Sequence, residues 1–342
     1  MEIFKILGTI ALSGQGKFNE DIDSASEKGK KLSSVIGKGL VTAAKVGAAA
    51  VGVAATAVGV LIKSSISDYA EYEQLVGGVE TLFKDSSSTV MKYADNAYKT
   101  AGLSANQYMD TITSFSASLL QSLGNDTAAA AEYGNLAVTD MADNANKMGT
   151  NISSIQDAYQ GFAKQNYTML DNLKLGYGGT KSEMERLIAD ANALNAAQGK
   201  TTEYSIESFA DIVAAIHDVQ TEMGITGTTA LEASTTIQGS ISSMKSAWTN
   251  FVTGLSDENA DLGQLMNNLI DSAVTAGQNI NTRLQILLPR LVAGLTQLAN
   301  SLIPMLPGVV SSVLPGLLEG ATALINGLIG VLPQLISTIT PI

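Results

Sequence analysis

Apolar positions recur along most of this chain at steps of three and four, the spacing of one helix face, and no stretch sustains the two-residue alternation of a strand. The clearest run lies within residues 229–283. Ile237, Ile241, Met244, Trp248, Phe251, Leu255, Leu262, Leu265 and Leu269 follow alternating four- and three-residue steps, with Glu258 in the polar SDEN patch as the one failure. The spacing predicts a coiled-coil-like helix or a long amphipathic helix packed within one domain. Trp248 reads as an anchor of that seam. Start signals precede other runs: Ser104 with Gln107 and Ser182 with Glu185 have capping-box spacing, and Thr229 with Glu232 has the same form.

Proline placement divides the chain. All six prolines (Pro289, Pro304, Pro307, Pro315, Pro333, Pro341) fall in the last 54 positions. The stretch before them is free to form long helices, since an interior Pro costs about 3 kcal/mol. Breaks there fall to Gly and to Ser/Asn/Asp clusters. The expectation is therefore an all-α protein. A polar arm covers residues 1–39 and a hydrophobic Ala/Gly/Val helix residues 40–66. A helical core follows over 67–228, then the amphipathic helix over 229–283 and an apolar tail over 284–342. Leu40–Ile62 has the length of a membrane span if Lys45 snorkels; its small residues equally suit a closely packed bundle helix.

The tail contains an internal repeat. PRLVAGLTQLANSLIPMLP (289–307) and PGLLEGATALINGLIGVLP (315–333) share ten of 19 positions at a period of 26. Each unit is expected to be a short apolar helix opened by Pro at its first turn. Pro341 stands where a third unit would begin, so the array is expected to be truncated. A tail this apolar needs a partner, a lumen or a lipid.

Composition sharpens this picture. Hydrophobic residues make up 45% of the 342 positions but aromatics only 5%, so thin helices that pack closely are favoured over a wide core. The net charge of −12 is uneven. Residues 1–63 hold eight Lys and five acids, residues 64–283 hold 11 basic and 26 acidic residues, and residues 284–342 hold only Arg290 and Glu319. An acidic middle argues against specific nucleic-acid binding, which needs clustered Lys and Arg. Met1–Ile10 lacks the pattern of a secretory signal.

Candidate chemistry is sparse. There is no Cys, and His217 is the one histidine, beside Asp218 in AAIHDVQ. No HExxH, zinc-ligand or GxSxG pattern occurs, and SGQGKFN (Ser13–Asn19) and GYGGTK (Gly176–Lys181) lack phosphate-loop spacing, so both are expected to be turns. No catalytic, cofactor-binding or metal-binding residue is assigned, and the chain is expected not to be an enzyme.

EYEQLVGGVETLFKDSS (Glu71–Ser87), YADNAYKTAGLSANQYMDTITSFSASLLQSLG (Tyr93–Gly124), Asp140–Ile188 and the helix Ile237–Leu255 together resemble tape-measure proteins of long-tailed phages and prophages of Gram-positive hosts. The resemblance covers roughly residues 68–342. It implies a structural role, in which an extended helical protein templates tail-tube length and then aids genome passage across the host membrane. It implies as partners the tail tube protein, tail assembly chaperones, baseplate or distal tail proteins, the host membrane and other copies in the tail lumen. The implied location is the virion tail, after synthesis in the bacterial cytoplasm. The family's members are usually longer, which again suggests truncation. Two other readings stay open: a membrane-active pore-forming helical protein, and the non-catalytic part of a tail-associated cell-wall hydrolase.

Overall fold

A computed structural model describes residues 50–302 and a few positions between 316 and 326, with side chains from Leu61 onward. Among the described residues every element is helical and no strand occurs. In chain order the α-helices are α1 (Ala50–Phe83), α2 (Ser87–Thr100), α3 (Ala105–Ser122), α4 (Thr127–Met148), α5 (Ile152–Phe162), α6 (Lys181–Ala197), α7 (Phe209–Glu222), α8 (Thr228–Thr235), α9 (Ile237–Gly254) and α10 (Leu262–Leu302). Two compact units result, one of Val60–Leu265 and one combining Met1–Gly59 with Met266–Ile342.

In the unit Val60–Leu265 the main core draws on residues from Val79 to Ile225. Helix α4 is its centre and packs against α2, α3, α5, α7 and α8. Its buried face is Ala130, Ala131, Gly134, Ala137, Val138 and Ala142, small enough for neighbours to approach closely. At Gly134 the Ile112 side chain lies where a Cβ would stand. The larger fillers are Tyr98, Phe83, Met109, Ile112, Phe162 and Leu173.

Local chemistry sets the helix starts. The Ser104 hydroxyl accepts the Gln107 N–H at 3.3 Å while Gln107 Oε1 accepts the Ser104 N–H at 3.0 Å, so the expected capping box opens α3. Asp126 Oδ1 caps α4 through the N–H groups of Ala128 and Ala129, and Gly149, in the left-handed region at φ 63°, ends it. Helix α6 begins earlier than the Ser182–Glu185 spacing suggests. Thr180 is its cap, because Glu183 reaches back to the Gly178 N–H and fixes the preceding turn. Helix α8 is not capped by Thr229 either: Gly227 stands at its cap with no side chain to offer.

Residues 229–283 differ from the single run of heptads that the spacing suggests. They form α8, α9 and part of α10, with breaks at Thr236 and across residues 255–261. The second break contains Glu258, the failed seam position. There Asp257 accepts the Asn259 N–H and Asp261 the Gln264 N–H, side-chain bonds that compete with helix continuation. Helix α9 also buries a face beside the expected one. Ser240, Ser243, Ala247, Asn250 and Gly254 are buried, while Ile237, Ile241, Met244 and Trp248 are half-buried. Small residues win that face because α9 lies against the α2–α3 corner. Ser246 donates to the Gly102 carbonyl at 2.8 Å, and Asn250 Oδ1 accepts the Ala105 N–H at 2.8 Å, one of the donors that the start of α3 leaves free.

Within Met266–Ile342, Pro289 lies inside α10 and does not open a helix of its own. Most of the second repeat falls outside the described residues. So do residues 40–49 of the apolar stretch, whose remainder belongs to α1. No helix among the described residues is long and apolar enough to cross a membrane.

Candidate functional site

One face of α4 carries polar side chains into the core. Asp140, Asp143 and Asn144 are fully buried at i, i+3 and i+4, neighbours on a helix surface. Each is tied to a different part of the chain. Both Asp140 carboxylate oxygens lie 3.0 Å from Nδ1 of His217 on α7. Asp143 accepts the Gly227 N–H at 2.6 Å and the Thr229 N–H at 2.7 Å, supplying the cap that α8 lacks. Asn144 donates to the Leu173 carbonyl at 2.9 Å. Asn146 adds a bond to the Thr229 hydroxyl at 2.9 Å.

Burial governs the electrostatics here. It pushes the Asp140 carboxyl up to about 6, against the pull of the His217 hydrogen bond and charge, with Asp143 and Asp218 adding to the rise. The Asp140 hydrogen bond in turn raises His217, against its own partial burial. Tyr159 on α5 is pushed well up by complete burial, with the Asp140 charge adding to the shift. Gln220 lies close enough to favour the ionised phenol, yet neither its amide nor the Tyr159 hydroxyl makes a bond of normal hydrogen-bond geometry. Tyr204 donates to Asp218 at 2.8 Å on the flank of the cluster.

A carboxylate on Nδ1 orients an imidazole, which is what a hydrolytic triad asks of its acid. The geometry goes no further. Among the described residues no hydroxyl bonds to His217, and no three metal-ligating side chains converge. The arrangement can hold the imidazole in place and bind a proton between two helices.

His217 therefore pairs with Asp140, 77 positions away, and not with its neighbour Asp218. Asp140 and Asp143 carry no motif. Their one sequence signal is a pair of acids three apart on an otherwise apolar, Ala-rich helix face. Trp248 is half-buried with its ring 6.1 Å from that of Phe251. The turn at Gly176–Lys181 is a turn, locked onto α6. Arg186 stacks over Tyr177 at 4.3 Å and donates to the Gly176 carbonyl at 2.7 Å, and Tyr177 donates to Asp190 at 2.8 Å. Gly179 is required there, since a Cβ would run into the Thr168 carbonyl. Ser13–Asn19 lies outside the described residues.

The other candidate surface is α10, 41 residues long, or about 60 Å at 1.5 Å per residue. Ile286, Leu287, Leu291, Val292 and Leu298 are exposed on it. Comparison with known protein families, with curated proteins and with solved structures finds no match.

Proposed function

We propose that this chain is a tape-measure protein of a long-tailed phage or prophage, acting through its length and its apolar surfaces and not through catalysis. The observation that carries the reading is α10, a single helix with five large apolar side chains exposed. A continuous helix turns residue count into distance, and apolar residues left in water call for a cover. The stretches Glu71–Ser87, Tyr93–Gly124 and Asp140–Ile188, which resemble the family, support it from the sequence side.

In this role the tube protein polymerises around the extended part of the chain. Assembly chaperones cover the apolar surface beforehand, and baseplate proteins hold one end. The site of action is the virion tail, with the host membrane met during ejection. The acidic middle suits a lumen through which DNA must slide without binding.

The test is an in-frame deletion of residues 266–300 in the phage. Tails shorter by about 50 Å are expected, at 1.5 Å per residue. Tails of unchanged length in electron micrographs would sink the reading.

A further inference from the structure

The chain comes into the unit Val60–Leu265 along α1 and leaves it after α9. Those two places touch. The Ser65 and Ser256 hydroxyls lie 2.6 Å apart although 191 positions separate them. Ser65 is buried there. The contact is broad. Burial first, then the charges of Asp95 and Asp257, push the Tyr72 hydroxyl up to about 12, which places Asp257 beside α1 two turns beyond Ser65. Asn106 on α3 donates to the Asp68 carbonyl at 2.8 Å, tying the same stretch of α1 to the core. Against α9, the Leu265 side chain occupies the place a Cβ on Gly254 would take.

A ruler advances only by the distance between its ends. As one helix, 191 residues would advance about 290 Å. Folded as they are, their net advance is one hydrogen bond. From this we infer that, on the tape-measure reading, residues 66–255 are a closed knob that adds nothing to measured length, and that the ruler consists of chain outside it. The core from Val79 to Ile225 holds the knob shut, and drawing it out would expose that whole core to water.

The absence of Cys from the chain makes the test clean. The double variant Ser65→Cys with Ser256→Cys is produced in host cells with an oxidising cytoplasm, and tails are measured by electron microscopy. A cross-linked chain inside tails of native length is expected. Failure of the two thiols to cross-link in the purified full-length chain would refute the closure. Tails shorter by hundreds of ångströms, or tails that form only when the cross-link is reduced, would show that the unit pays out as ruler. A second variant replaces residues 66–255 with a short Gly/Ser linker. Native tail length is expected, and shortening in proportion to the residues removed would overturn the inference. The deletion of residues 266–300 keeps the two ideas apart. If it leaves length unchanged the tape-measure reading fails, while cross-linking of the purified chain still judges the knob.

Discussion

His217 reaches across 77 positions to place Nδ1 3.0 Å from both carboxylate oxygens of Asp140, joining α7 to α4 through one imidazole. Asp140 is fully buried and His217 only partly so, which means the pair trades a proton with solvent from one side.

That geometry predicts a pH dependence. Both groups hold protons more tightly in the folded chain than in the unfolded one. Their contribution to stability is therefore complete below the ordinary values and is lost as pH rises through the raised ones. For Asp140 the window runs from the ordinary carboxylate range up to about 6, and for His217 it begins near the ordinary 6.5 and ends above it. Asp143 and Asp218 add to the rise of both groups, and Tyr159 and Tyr204 flank the pair. Urea midpoints of the wild type should fall as pH rises from 4 to 8, and should fall less in the double variant Asp140→Asn with His217→Gln, which removes both groups. A fall of equal size in both proteins would contradict the assignment. His217→Ala, which takes the imidazole away from a buried carboxyl, should cost about 2 kcal/mol at pH 7.

Asp143 is the cap of a helix it does not belong to. Asp143→Ala leaves the N–H groups of Gly227 and Thr229 without their acceptor and should cost about 2 kcal/mol. Hydrogen exchange at those two amides should accelerate well beyond the change at Ala210 or Ile212. Equal acceleration everywhere would mean that the bond serves only global stability.

Gly179→Ala drives a Cβ into the Thr168 carbonyl, a backbone atom that has no rotamer to yield. A loss of about 2 kcal/mol is expected from overpacking, read in the urea midpoint. Gly149→Ala should cost about 1 kcal/mol for a different reason, the left-handed φ of 63° at an open position.

Leu291→Lys with Leu298→Lys alters side chains that are already in water. Stability of the purified chain should move by no more than about 0.5 kcal/mol. Tail yield should collapse, because the apolar cover on α10 no longer fits. Normal tail yield from this variant would remove the apolar surface from the mechanism.

Much of the architecture was legible in the residues themselves. Helical spacing, the absence of proline before Pro289 and the Ser104–Gln107 box all act over a few positions, and each produced the element expected. The failure of the seam at Glu258 also marked a real break, although the spacing on either side invited one continuous helix. Pro289, whose place at the start of the repeat predicts a helix opener, sits inside α10, because the apolar run on both sides of it is long enough to carry the helix through.

Sequence alone determined that the described residues are helical and that α3 begins at the Ser104 box. Those properties follow from backbone sterics and hydrogen bonds within a turn or two. Only the tertiary structure decided which face α9 buries, which carboxylates enter the core and that Ser65 meets Ser256. A helix with small residues on one face and large ones on the other can bury either, and an aspartate is tolerable inside only when a distant partner arrives to meet it. Which partner arrives depends on how remote segments pack together, and local spacing carries no record of that.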